Sequence, residues 1–486
     1  MPIRITGMNS GLDTESIIQD LAAARRKKVN TIKTEQTKKN WIQDAWKDIN
    51  TKISKFYSSL DNLKFSSSYN AKKTTVSQSG VANITTSNDA PVGAYSLNIS
   101  QLASYASLTS EKIDATSATT LSQLGIEEPG SFDVKFSDGT VKTVQYDKDT
   151  TMAQMRSKLA ETGLQVNFDT VNQRFFLNSK TSGANSNFEL TNDSQGVLDV
   201  LKLSNGKYNE GKNLQLSLNG IDYETESNVI EINGLTISAQ KVTDGDVTIT
   251  TEKDTSEIYS KIKNFISQYN ELVKEIDKLY NADSAKDYKM LTDDDKEEMS
   301  DKEIEKWESK IKDSLLRRDD TLGGIYNALK SVMAKGFTLD DGTQLSLASF
   351  GIKTQGYFAS GENERSVFHI DGDKDDSITS GKTNLLESMI QTDPDKLSEF
   401  FSKLSNNLYS ELSKKCSSIA NYRSYGTFYN DKKLKTDISS YDTKIKKEED
   451  KLEAYMDRYY KQFARMESAL AKLNSSQSSL TSFFGQ

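Results

Sequence analysis

Histidine and cysteine are almost missing from this chain, which carries one of each, His369 and Cys416. A zinc centre of the Cys/His kind takes about four such ligands, and a single cysteine makes no internal disulfide. A Ser-His-Asp or Cys-His device would depend on His369. That residue lies in "RSVFHIDG", an alternating, strand-like stretch where a satisfied or solvent-facing histidine is expected. Cys416 continues the line Leu408, Leu412, Cys416, Ile419 and reads as a small helix-core residue. No G-x-x-x-x-G-K-[ST] cradle is present. The sequence therefore points away from an enzyme, and no catalytic, cofactor-binding or metal-ligating residue is assigned.

Proline is scarce, with only Pro2, Pro91, Pro129 and Pro394, so long uninterrupted helices are permitted. Hydrophobic residues make up 35%, which concentrates them in stripes and suits an elongated molecule with a large surface. No run approaches the ~18 apolar residues of a membrane span, so no membrane insertion is expected. "MPIRITGMNSGLD" lacks the apolar core of a secretory signal. The net charge of −8 argues against nucleic acid as a partner. The one dense basic run near an end, Arg25-Arg26-Lys27-Lys28, reads as a solvated helix face.

Three segments repeat hydrophobics every seven residues, the spacing that keeps one seam toward a partner helix. The first runs through Ile42, Trp46, Ile49, Ile53, Phe56, Leu60 and Leu63. The second runs through Ile258, Ile262, Phe265, Tyr269, Leu272, Ile276 and Leu279, opened by the capping-box-like "DTSE" at 254–257. The third runs through Ile438, Ile445, Leu452, Tyr459, Met466, Leu473 and Leu480, widened by Tyr441, Tyr455, Phe463 and Leu470. Shorter helical patterns lie at Ile311–Met333 and Leu397–Ile419, the latter started by Asp393-Pro394.

Between the first two seams the period falls to two. Tyr95, Leu97 and Ile99 alternate with polar residues, as do Phe132, Val134 and Phe136 before Asp138-Gly139. Leu214, Leu216 and Leu218 precede Asn219-Gly220, and Ile232 and Leu235 flank Asn233-Gly234. Such alternation around Asn-Gly or Asp-Gly is a strong hairpin signal. One helix, 152–161, is expected inside this region, so 121–205 reads as an inserted β-β-α-β-β module.

The fold class is therefore α+β and multidomain: a discontinuous antiparallel helical or coiled-coil stalk from both chain ends, with two β-rich head domains, one inserted in the other. The expected divisions are an N-terminal leg helix (1–40), a stalk (41–70 and 255–440), a β-rich head (71–120 and 206–254), an inserted β-α head (121–205) and a C-terminal leg helix (441–486).

Lengths sharpen this picture. The C-terminal seam extends roughly 65 Å as helix, and the Ile42–Leu63 seam roughly 33 Å. "LDTESIIQDLAAA", capped by Asp13 and striped by Ile17, Ile18 and Leu21, covers part of the excess, but "KTEQTKKN" at 33–40 breaks the seam. The expected assembly surface comprises Ile17, Ile18, Leu21, Phe463, Met466, Leu470, Leu473, Leu480 and Phe483.

"DGDKDDSI" at 371–378 places Asp371, Asp373 and Asp375 at positions one, three and five of a calcium loop. Position six is Asp376 rather than glycine, and position twelve is Lys382 rather than glutamate. An acidic surface loop is the expectation.

As a set these motifs resemble the family of bacterial flagellar filament-capping proteins, flagellar hook-associated protein 2. "GMNSGLDTESIIQDLAAAR" is similar to the family's opening and "ANITTSNDAPVGAYSLNISQLA" to its first β segment. "IKNFISQYNELV" resembles the returning helix, "LLRRDDTL" the next helical stretch, and "KIKKEEDKLEAYMDRYYKQFARMESALAKLNSSQSSL" the closing helix. The resemblance implies a secreted, extracellular protein at the flagellar filament tip, exported by the flagellar type III system without a cleaved signal. It implies a ring-shaped homo-oligomer, a pentamer, whose terminal helices are flexible legs. It further implies flagellin, hook–filament junction proteins and a cytoplasmic export chaperone as partners, and for some relatives a role in adhesion. A flagellin-like or junction filament protein, or a surface adhesin using the β head, are the alternatives.

Overall fold

The structure, a computed structural model, describes residues 10–356 and 358–484. The chain divides into two compact units. One is formed by Met1–Tyr69 with Ile258–Gln486, the other by Asn70–Glu257.

The discontinuous unit is built on two long helices, Thr14–Leu63 and Asp431–Phe484. The Asp13 carboxylate caps the first, accepting from the Ser16 amide at 3.0 Å. This helix runs unbroken through 33–40. "KTEQTKKN" interrupts the apolar seam without interrupting the helix, because it contains no glycine or proline to end one. The half carrying Trp46, Ile49, Ile53, Phe56 and Leu60 is buried. It packs on the helix Thr255–Tyr280 through Phe56, whose ring lies 6.1 Å from Phe265 and 6.4 Å from Tyr269. The Asp254 carboxylate starts that second helix by accepting from the Ser256 and Glu257 amides.

Two helices, Asp320–Met333 and Pro394–Lys415, complete the core of this unit. Phe400 and Phe401 of the latter meet Phe350 at 4.8 and 5.4 Å. The continuous helix expected over Ile311–Met333 is instead two, Asp301–Asp313 and Asp320–Met333. Arg318 adopts a left-handed φ of 55°. Asp319 then caps the next helix, accepting from the Thr321 and Leu322 amides at 2.9 Å. The line Leu408–Leu412–Cys416–Ile419 also stops early. Cys416 is buried at the C-cap, and Ile419 lies beyond the helix and is exposed.

The second unit is β-rich. A five-stranded antiparallel sheet has the order Lys72–Val76, Val247–Lys253, Gly93–Gln101, Leu214–Leu218, Ile221–Thr225. Leu214, Leu216 and Leu218 face inward, and Gln215 faces out. Asn219-Gly220 has φ of 51° and 77°, and Asn233-Gly234 has 49° and 79°. These left-handed pairs are the two-residue turns that match strand twist. A three-stranded sheet of Val229–Ile232, Leu235–Ala239 and Ala82–Thr86 contributes Ile237 to the same core.

The inserted module has a separate core that includes Phe132, Met155, Phe175 and Leu177. Its helix Met152–Glu161 begins with a capping box made by Thr151 and Gln154. The module reaches past the expected 121–205. Its four-stranded sheet pairs Tyr105–Thr109 with Arg174–Ser182 and takes in Lys207–Asn209, and its core includes Ala106, Leu108 and Ile113. Tyr105–Thr109 carries few large apolar residues, so periodicity alone did not assign it to this core.

Candidate functional site: the paired terminal helices

From Trp46 downward the two long helices run antiparallel. Trp46 stacks on Tyr429 at 5.5 Å. Further along, Gln36 donates to Asp442 at 2.6 Å, Lys33 meets Glu449 at 2.6 Å and Lys28 meets Glu448 at 3.1 Å. The Arg25 guanidinium lies 4.4 Å from the centre of the Tyr455 ring. Tyr460 donates to Glu15 at 2.7 Å, and Ser10 donates to Glu467. Apart from the neighbouring Glu448 and Glu449, which serve Lys28 and Lys33, the partner's number rises as the first helix is descended, so one antiparallel register holds.

The basic run 25–28 is therefore more than a solvated face. Arg25 covers an aromatic ring and Lys28 an acid of the opposing helix. Opposite-charge complementarity between 25–28 and 448–449 was present in the sequence, but its use required the register. Lys451 and Lys28 together hold the Glu448 carboxyl below its ordinary value. Exposed pairs of this kind contribute little. They fix register while leaving the contact easy to release.

The apolar part of the pairing is thin. Of the expected surface, Ile18 is buried, Ile17 is half-buried and Leu21 is exposed. Ala22 and Val29, not singled out from sequence, are buried beside Ile18. On the C-terminal helix Phe463, Met466 and Leu470 are half-buried, while Leu473 and Leu480 are 64% and 57% exposed. The side chain of Phe483 lies outside the described residues. No described residue of this helix beyond Leu434 is buried. Beyond this region the C-terminal seam has chiefly one neighbour among the described residues, which covers only part of it.

The register also sets where partnership ends. Ser10, the first described residue, faces Glu467. The helix continues to Phe484, about 25 Å further at 1.5 Å per residue. Along that stretch no described residue of the N-terminal segment lies opposite. An isolated helix of this length is marginal in water. Fully covering a leucine contributes roughly 1.5–3 kcal/mol, and Leu473 and Leu480 realise little of that among the described residues.

The carboxylates of the acidic loop are engaged by lysines. Lys382, standing where a calcium loop has glutamate, donates to Asp371 at 2.9 Å, and Lys353 adds a second contact at 3.4 Å. Lys263 bridges Asp373 at 2.7 Å and Asp375 at 2.6 Å. His369 Nδ1 lies 2.7 Å from Asp376. Burial raises Asp371, but Lys382 and Lys353 outweigh it and hold the carboxyl low. The loop is thereby tied to the helix Thr255–Tyr280. Among the described residues no group of three or more His, Cys, Asp or Glu side chains is arranged to hold a metal, and no helix is long and apolar enough to cross a membrane.

Family models and known proteins are similar to this chain along most of its length. A family model for the flagellar hook-associated protein 2 N-terminus matches residues 10–106, and one for its C-terminus matches 211–475. The stretch between them coincides with the inserted module. Flagellar hook-associated protein 2 of Halalkalibacterium halodurans is 23% identical across 99% of this chain and 100% of its own length. That of Escherichia coli K12 is 24% identical across 98% of this chain and 97% of its own. A crystal structure of domains D1–D3 of the flagellar cap protein FliD from Escherichia coli covers 77% of this chain and 97% of its own length, with 17% identity and a TM-score of 0.49.

Proposed function

This chain belongs to the flagellar hook-associated protein 2 family, a family of structural flagellar proteins rather than enzymes, and we propose that it caps the distal tip of the flagellar filament. In this role it retains exported flagellin and promotes its ordered insertion. Residues 1–40 and 441–486 act as the leg, while 41–70 and 255–440 form the stalk that holds it. Copies assemble into a ring, and the legs engage flagellin and, at the filament base, the junction proteins. The protein reaches the extracellular tip through the flagellar export channel, with a cytoplasmic chaperone covering the C-terminal helix beforehand.

One observation carries the reading: the apolar seam of the C-terminal helix continues past Glu467 with Leu473 and Leu480 uncovered. A leg that must release and rebind at each subunit addition needs a contact that is incomplete in the free molecule. Ordering a frayed segment on binding lowers the affinity, which suits repeated release. The polar run "NSSQSS" at 474–479 further weakens the grip.

The test is electron microscopy of filament ends with purified protein. The parent protein should decorate tips and support elongation, and Leu473→Asp should not. Normal elongation with that variant contradicts the leg assignment.

A further inference from the structure

The discontinuous unit carries a protruding aromatic knob on one flank and an open groove on the other. The knob is the turn between the helices Pro394–Lys415 and Asp431–Phe484. There Ile419, Tyr422 and Tyr425 are 42%, 48% and 82% exposed. Three exposed hydrophobics within seven residues normally mark a mobile loop, but this turn is tightly bound. Ile419 and Arg423 exchange backbone hydrogen bonds at 3.1 and 2.9 Å. The Gly426 amide donates to the Cys416 carbonyl at 3.0 Å, and the Tyr422 carbonyl accepts from the Lys432 and Lys433 amides. The Ser424 amide and hydroxyl both donate to Asp431 at 2.7 Å. A preordered turn holds its apolar side chains in water without the ordering cost that usually weakens a loop contact.

The groove, of about 650 Å³, lies between the helices Thr14–Leu63 and Thr255–Tyr280. Phe56 and Leu272 line its floor, and Gln268, Lys55, Glu271 and Lys278 line its sides. Lys52 and Lys274 are engaged in ion pairs with Glu275 and Glu364. Lys55, Lys278 and Glu271 make none among the described residues. An apolar floor with unengaged cations and a carboxylate at its rim suits a phenol: the ring meets the cations and the hydroxyl donates to the acid.

The two features sit at one height on opposite sides of one helix. The turn packs on Trp46, Asn50 and Tyr57 through Tyr429 and Phe428. The groove is lined by Lys52, Lys55 and Phe56 of the same helix. At 3.6 residues per turn the two sets face roughly 145° apart. Knob and groove cannot meet within one molecule. On neighbouring molecules standing side by side they can, and a patch that meets a different patch repeats around a closed ring.

We propose that the groove over Phe56 and Leu272 receives the Tyr422–Tyr425 turn of a second copy of this chain, making a head-to-tail contact between adjacent stalks. The inference rests on the reading that copies assemble as a ring, and it names the contact. Buried tyrosines are common energetic anchors of interfaces.

The test uses the full chain. The mass of the parent and of Tyr422→Ala/Tyr425→Ala is followed by light scattering against concentration, with circular dichroism as the folding control. In parallel, Tyr425→Cys and Gln268→Cys are combined in a Cys416→Ala background and oxidised. The contact predicts about tenfold or more weaker association for the alanine variant. It also predicts a covalent ladder for the double-cysteine protein that neither single variant gives. If the parent assembles while the alanine variant assembles equally well and no ladder forms, this contact is wrong and the ring reading survives. If the parent stays monomeric at every concentration and on filament ends, both readings fall.

Discussion

Trp46 and Tyr429 stack with ring centroids 5.5 Å apart and planes 8° from parallel. They join the two terminal helices at the point where the crowded core of the discontinuous unit gives way to a thinner helix pair. Above them the seam residues of the N-terminal helix have several neighbours. Below them the two helices are each other's main partners, and among the described residues the helix Asp301–Asp313 adds a contact near Trp41, with Lys312 4.4 Å from the ring centre.

Removing this junction has a definite cost. Trp46→Ala should lower the stability of the discontinuous unit by about 3–5 kcal/mol, the range for a buried aromatic truncated to alanine. Denaturant unfolding followed by helical circular dichroism measures it, and an unchanged midpoint contradicts the placement.

The same chemical change has opposite consequences at the two ends of the seam. Ile53 is fully buried and Leu473 is 64% exposed. Ile53→Asp places an unpaired charge in the core, with a penalty of several kcal/mol, a large share of a domain's stability. It should unfold the discontinuous unit. Leu473→Asp should leave the melting temperature of the isolated protein within about 1 °C, since surface changes cost little. Equal destabilisation by both would overturn the distinction.

The acidic loop should make the discontinuous unit acid-sensitive. Asp371 is held low by Lys382 and Lys353 against the opposing effect of burial, and Asp376 by His369 likewise. Their folded values lie below the ordinary 3.8. Each therefore contributes stability that is fully present above about pH 3.8 and lost as pH falls through the lower folded value. Denaturant midpoints should fall from pH 5 to pH 3, with a smaller fall in Asp371→Asn. An identical pH dependence in the variant contradicts the role given to this carboxylate.

Calcium should not stabilise the protein, because Lys263 and Lys382 already engage the carboxylates of this loop. A millimolar addition that raises the melting temperature by several degrees, lost in Asp373→Ala, would show that the cation displaces the lysines.

Gly183 has φ of +106°, and a Cβ there would approach the Cα of Glu226 to 2.9 Å. Gly183→Ala should destabilise the β-rich unit by about 1 kcal/mol or more through strain at a left-handed position and this backbone contact. The discontinuous unit should be unaffected. A wild-type melting profile would show that the turn relaxes freely.

The sequence was most legible where one partner decides the pattern. Heptad spacing located Ile49, Ile53 and Phe56 as core because a helix packed on a helix repeats every seven residues. Asn219-Gly220 and Asn233-Gly234 marked two hairpins because those turns require left-handed backbone. Legibility failed where long-range partners decide. The polar stretch 33–40 looked like an end of pairing, yet Lys33 and Gln36 pair with Glu449 and Asp442 across the helices. The aspartates of 371–376 were legible as an acidic loop, but their partner Lys263, more than a hundred positions earlier, was not. The exposed turn around Tyr425 carried no periodic signal, so its surface role was invisible before the fold was known.

The most direct test of the account is hydrogen exchange along the C-terminal helix of the isolated full chain. Amides from about 468 to 484 should exchange within seconds, far faster than those of the strands around Phe132 and Leu177, and should slow when the protein sits on filament ends. Protection in the free monomer equal to that of the β core would mean that the terminal seam is already covered, and the leg assignment would fail.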